Sequence, residues 1–262
     1  MSATLEPRQV EKPFWKRWLR MTWQLFVRSP VRFGILIALL GWVDTSAVNL
    51  AQGFVIPRIW VERLGMLLLP ALFALVSAIA RGADDASQTW TALRALAGFQ
   101  LWFKALVAGA TLVALNWVVY QSMDFLFNSS AVASHPLALS NTPGALLETI
   151  AAQTWMVIWC LGICYSPLVV FWPELSLKET KTLSLTASNV NDRGKINSLI
   201  IGVLFCGLPI ELIPAYGMTE AALLVFMGTL TYVAYRDIFE RRDENLPAPV
   251  AARRGIGAQI ST

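Results

Sequence analysis

From Thr154 to Trp172 the chain reads TWMVIWCLGICYSPLVVFW, nineteen residues without a charge. Wound as a helix at about 1.5 Å per residue, that length matches a hydrocarbon core of roughly 30 Å. Pro173 ends the run. Ser176, Leu177, Lys178 and Glu179 then form an S-x-x-E pattern, in which the Ser176 hydroxyl and the Glu179 carboxylate satisfy orphan backbone donors at a new helix start. The short helix so begun closes at the turn-rich stretch Asn189 to Gly194, and Ser198 to Ile210 is apolar again. The pattern predicts a membrane hairpin with a polar helix at its bend.

The first half repeats the plan. Leu64 to Ala80 is apolar, Asp85-Ala86-Ser87-Gln88 is a D-x-x-Q start, and Leu101 to Tyr120 is apolar. Asp85 and Ser176 stand 91 residues apart, which suggests an internal repeat of the kind common in membrane bundles. With 56% hydrophobic and 15% charged residues, the chain is more apolar and less charged than a soluble domain, as an integral membrane protein requires. Eleven tryptophans suit membrane interfaces as well as bundle packing. Cys160, Cys164 and Cys206 all fall inside expected spans without a C-x-x-C spacing, and read as small buried hydrophobes.

The fold class expected is therefore an all-α polytopic bundle of about six transmembrane helices with surface helices. Residues 1–30 form a polar, disordered tail and an amphipathic helix; 31–236 form the membrane domain, with spans at about 33–56, 64–80, 101–120, 154–172, 198–213 and 219–235; 237–262 form a charged, disordered tail. In the amphipathic segment Trp15, Trp18, Leu19, Thr22 and Phe26 share one face, with Arg17, Arg20, Gln24 and Arg28 opposite. Such a helix either lies in the headgroup layer or is the positive flank of the first span. Pro70 sits inside the second span, where neighbours can satisfy the freed carbonyl. Trp90, Leu93, Leu96 and Ala97 share the face of a further surface helix, and Gln121 to Thr149 is a long linker without Lys or Arg.

Charge sets orientation. With six spans and an inside N-terminus, 19 of the 21 basic residues fall on inside segments, leaving only Arg58 and Arg63 outside. That asymmetry puts both termini in the cytoplasm.

Asp44 is the clearest ionisable residue within a span, either a cation or proton site or a partner for Arg58 or Arg63; the bland alternative is a hydrated position near the outer interface. Glu211, between Pro209 and Pro214, marks the outer end of the fifth span and is a second candidate. Ser176, Glu179, Lys181 and Asn191 are the candidates for a cytoplasmic partner surface. His135 is the single histidine, in the long linker, which leaves no H-E-x-x-H site and no His-rich metal site. No nucleotide-binding fingerprint or nucleophile elbow is present either. The basic segments follow topology instead of forming an exposed stacking platform, which speaks against nucleic acid. No cofactor is expected, and the lipid bilayer together with a protein partner or a second copy is.

The pattern Ser166-Pro167, Pro173, Leu175-Ser176 and the series Ser184, Ala187, Asn191, together with YVAYRDIF at 232–239, resembles the YciC-like group of bacterial inner-membrane proteins. Ser29-Pro30 before the first span extends the likeness weakly to the first half. The resemblance implies a six-helix inner-membrane protein and supplies no catalytic residue. The functional expectation is a non-enzymatic scaffold, assembly or regulatory membrane protein, with a small-solute or ion transporter as the alternative.

Overall fold

The computed structural model describes residues 5–54, 58–127, 158, 160–207 and 218–240. Their regular structure is helical, with no strand among them: α1 Phe14–Arg28, α2 Pro30–Gly53, α3 Arg58–Asp84, α4 Thr89–Ala95, α5 Phe99–Phe127, α6 Tyr165–Phe171, α7 Leu177–Val190, α8 Arg193–Gly207 and α9 Met218–Tyr235. A π-helical turn, Arg236–Glu240, continues α9, and a 3-10 turn, Ala86–Gln88, precedes α4. Three helical stretches, Arg63–Asp84, Phe99–Val118 and Met218–Glu240, are long and apolar enough to cross a membrane. The pair α1 and α2, bent by 93°, makes a fourth if counted as one span. The chain thus has the make-up of a membrane-embedded helical protein.

The bend at Ser29 follows from the sequence. Pro30 disfavours the helical conformation at the residue before it, while its own fixed φ suits the first position of α2. Ser29 closes α1 by donating its N–H to Leu25 O at 3.1 Å and leaves the helix at φ −135°, ψ 54°. The bundle face of α1 is Phe14, Trp18, Thr22 and Leu25, and it packs against α9 and α3. Burying each large apolar side chain here contributes about 1.5–3 kcal/mol. The expected face is half right: Trp18 and Thr22 are buried, but Trp15 is 41% exposed.

α3 is the central element, in contact with α2, α5, α6 and α9. Its Pro70 is held within the helix as expected, and the Ser166 hydroxyl from α6 donates to Pro70 O at 3.1 Å. One turn away Gly109 of α5 lies so close that a Cβ there would stand 2.0 Å from Leu67 O, so only glycine allows the two helices to meet.

Several expected boundaries change. The apolar run 154–172 is not one unbroken helix. It breaks at Gly162, whose φ of +84° L-residues with a side chain rarely adopt, and helix resumes only at Tyr165. A Cβ on Gly162 would lie 2.5 Å from Ser184 O, so α7 packs directly onto the break. Residues 121–127, expected in the linker, continue α5; the rest of that linker, with His135, lies outside the described residues. The expected fifth span is described only as far as Gly207.

Neither expected tail is loose where it is described. Residues 5–12 lie across the end of the bundle, with Val10 buried. Arg236–Glu240 is an ordered turn in which Asp237 is completely buried.

Candidate functional site

The described polar side chains concentrate where α1, the ends of α3 and α9, and the N-terminal segment meet. Arg236 follows the last residue of α9, and Arg81 lies in the last turn of α3; cations there complement the negative ends of both helices. Arg236 pairs with Asp84, which also accepts from the Tyr232 hydroxyl at 3.0 Å. Arg81 pairs with Glu240 and lies 5.3 Å from the centre of the Phe171 ring. The two ion pairs join the C-terminal ends of α3 and α9.

Asp237 faces the other way. Its Oδ2 accepts from Arg17 Nη2 at 2.5 Å, Arg17 Nε at 3.2 Å and the Trp18 indole N–H at 2.8 Å. Arg8 adds a guanidinium 3.8 Å from Oδ1 and donates its Nε to the Asp237 carbonyl at 2.7 Å. A wholly buried carboxylate is tolerable only with such a donor set. Arg17, expected on the solvent face of α1, is turned into the bundle by this acid.

Between α1 and the π-helical turn a cleft of about 490 Å³ opens, lined by Arg17, Met21, Arg236 and Glu240. Sequence reasoning missed the whole cluster. The available signal was the pairing of acids and arginines at two apolar helix ends, Arg81 with Asp84 at the end of α3 and Arg236 with Asp237 and Glu240 at the end of α9.

α7 meets this cluster's N-terminal segment through Asn191. The expected S-x-x-E box is present in full: Ser176 N–H donates to Glu179 Oε2 at 2.7 Å, and Glu179 N–H to Ser176 Oγ at 3.3 Å. The hydrogen bonds from Ser176 hold the Glu179 carboxyl below the ordinary carboxylate range. At the D-x-x-Q start Asp85 accepts from the Ser87 N–H and hydroxyl, at 2.9 and 2.7 Å, and a 3-10 turn forms there. Lys104 is buried and donates to Pro173 O at 2.5 Å, tying α5 to the α6–α7 link. α7 buries its small polar face, Thr180, Ser184, Ala187 and Ser188, and the Ile163 N–H at the helix break donates to Ser188 Oγ at 3.2 Å.

Of the four residues assigned to a partner surface, Ser176, Glu179 and Lys181 are exposed on α7. Asn191 is not: it is 3% exposed and caps the C-terminal end of α7. Its Oδ1 accepts from Val10 N–H at 2.6 Å, and its Nδ2 donates to Arg8 O at 3.0 Å and Ala187 O at 2.9 Å. It belongs to the clamp on the N-terminal segment. Asp44 lies on α2 with its side chain outside the described set, and Glu211 lies outside the described residues. Among the described residues no three His, Cys, Asp or Glu side chains are grouped to hold a metal ion. No protein-family model, curated protein or solved structure matches the chain.

Proposed function

We propose that the protein is a six-span bacterial inner-membrane protein of the YciC-like kind, with both termini cytoplasmic, that acts without chemistry of its own as a scaffold or assembly factor. The observation that carries this reading is the division of α7. Its small polar face is sunk against the α6 break, while Ser176, Leu177, Lys178, Glu179 and Lys181 stand on the outside. A capped helix presented on a braced platform is suited to docking a partner protein. The 19 to 2 charge asymmetry supports a cytoplasmic position for it.

The test replaces Lys181 by a photocrosslinking residue in native membranes, with a second probe at exposed Trp90 as control. The expected result is one discrete adduct from position 181, lost when Lys178→Glu is added and absent from position 90. Equal, diffuse labelling at both positions counts against docking through α7.

A transporter reading has one specific observation in its favour. Helix broken at Gly162, beside the buried and unpartnered Ser184 hydroxyl, is the kind of irregular backbone that lines substrate paths in membrane bundles. Asp44 is the residue to test for it. Ion flux in proteoliposomes that is abolished by Asp44→Asn would favour transport, and flux that is unchanged would remove Asp44 from the mechanism.

A further inference from the structure

The cleft lined by Arg17, Met21, Arg236 and Glu240 has an unbalanced chemistry. A guanidinium carries five N–H donors. Arg17 spends Nε and Nη2 on Asp237, and Arg236 spends Nη1 on Asp84. Each is therefore fixed in position by a carboxylate while lining the cleft, and each has N–H donors beyond those these bonds use. Glu240, the one acid among the described wall residues, is engaged by Arg81. In the described wall of the cleft itself two guanidiniums, Arg17 and Arg236, stand against one carboxylate, Glu240. An excess positive charge, carried by two prepositioned forks on different elements, matches an oxyanion with several acceptor oxygens. The remaining wall, Met21, is apolar, and the α1 helix that supplies it turns by 93° into the apolar α2.

We propose that this cleft binds a phosphate-bearing anion through Arg17 and Arg236. The phosphate belongs either to the headgroup of an anionic phospholipid or to a small soluble phosphate ester. The inference stands on the cleft and does not depend on docking through α7.

The experiment uses the full chain, delipidated in detergent, titrated separately with dioleoylphosphatidylglycerol and with glycerol 3-phosphate and read by native mass spectrometry. One bound equivalent of either is expected. Retention of the lipid alone assigns the phosphate to a headgroup, and retention of the ester assigns it to a soluble ligand. Met21→Glu adds a carboxylate to the wall without replacing any ion-paired residue, and should weaken binding at least about tenfold. Glu240→Gln removes the acid already there and should tighten it, which covers the case in which Met21→Glu does not fold. Neither probe binding, or binding that is unchanged or weaker in a folded Glu240→Gln protein, overturns the proposal.

Discussion

The backbone N–H of Val10 donates to Asn191 Oδ1 at 2.6 Å across 181 residues of chain, and the same amide returns a hydrogen bond to Arg8 O at 3.0 Å. One side chain thus pins an extended segment by both its donor and its acceptor. Asn191→Ala would orphan the Val10 N–H and the Arg8 carbonyl, each at about 1–3 kcal/mol if it stays buried. The segment should instead lift. Trypsin cleavage after Arg8 should become faster by one to two orders of magnitude, on the order of what that free energy allows, while the melting temperature of the bundle changes little. Unchanged cleavage would mean that the Asp237 contacts alone hold the segment.

Asp237 is the opposite case, since its loss reaches the bundle itself. Asp237→Asn leaves Arg17 and Arg8 without their counter-charge and replaces one acceptor oxygen by a donor aimed at donors. Removing one partner of a buried pair costs about 3–5 kcal/mol, and because the Arg17 side chain is 29% exposed the expected loss is nearer about 2–3 kcal/mol. Thermal unfolding in detergent measures it. The double variant Asp237→Asn with Arg17→Met should recover part of the loss, because the uncompensated charge is gone.

At Gly162 the constraint is backbone. Gly162→Ala meets a φ of +84° and a carbonyl 2.5 Å from the new Cβ, and should destabilise the protein by more than about 1–2 kcal/mol. Gly34 in α2 has nothing within 4 Å of a built Cβ, so Gly34→Ala should be neutral or stabilising by up to about 1 kcal/mol. Parallel melting curves separate the two. Equal effects would remove the special role of the break.

These cases show which features a sequence discloses. Ser29-Pro30, the box from Ser176 to Glu179, Pro70 within α3 and the apolar runs of α3, α5 and α9 were legible because their causes are local: a ring that fixes φ, a side chain three residues from its target, or apolar periodicity. The break at Gly162 was not, because hydropathy counts apolar residues and is blind to the sign of φ. Trp18 and Arg17 were assigned to opposite faces from the helical spacing of apolar and basic residues, whereas Asp237 draws both to one side. Asn191 looked like a surface residue because its partners, Arg8 and Val10, lie at the other end of the chain. The candidate site was for the same reason almost wholly hidden: each of its ion pairs joins segments 152 or more residues apart.

Acid should loosen α7 from its N-terminal end. The Glu179 carboxyl is held below its ordinary range, first by its hydrogen bonds with Ser176. A carboxylate whose folded value is depressed contributes in full above its unfolded value and is lost as pH falls through the lower folded value. Amide exchange in the first turn of α7 should therefore be slow at neutral pH and speed up in that acidic window. Glu179→Gln keeps a capping side chain that does not titrate, and should flatten the profile.

In the proposed six-span topology α7 faces the cytoplasm, opposite the long linker. The direct measurement is labelling by a membrane-impermeant maleimide, in a background where Cys160, Cys164 and Cys206 are replaced by Ala, of Lys181→Cys and His135→Cys proteins. Intact cells with a permeabilised outer membrane are compared with inverted inner-membrane vesicles. The prediction is that position 135 labels only in the cells and position 181 only in the vesicles. Labelling of position 181 from the outside, or of both positions from the same side, would contradict the six-span topology and the docking role built on it.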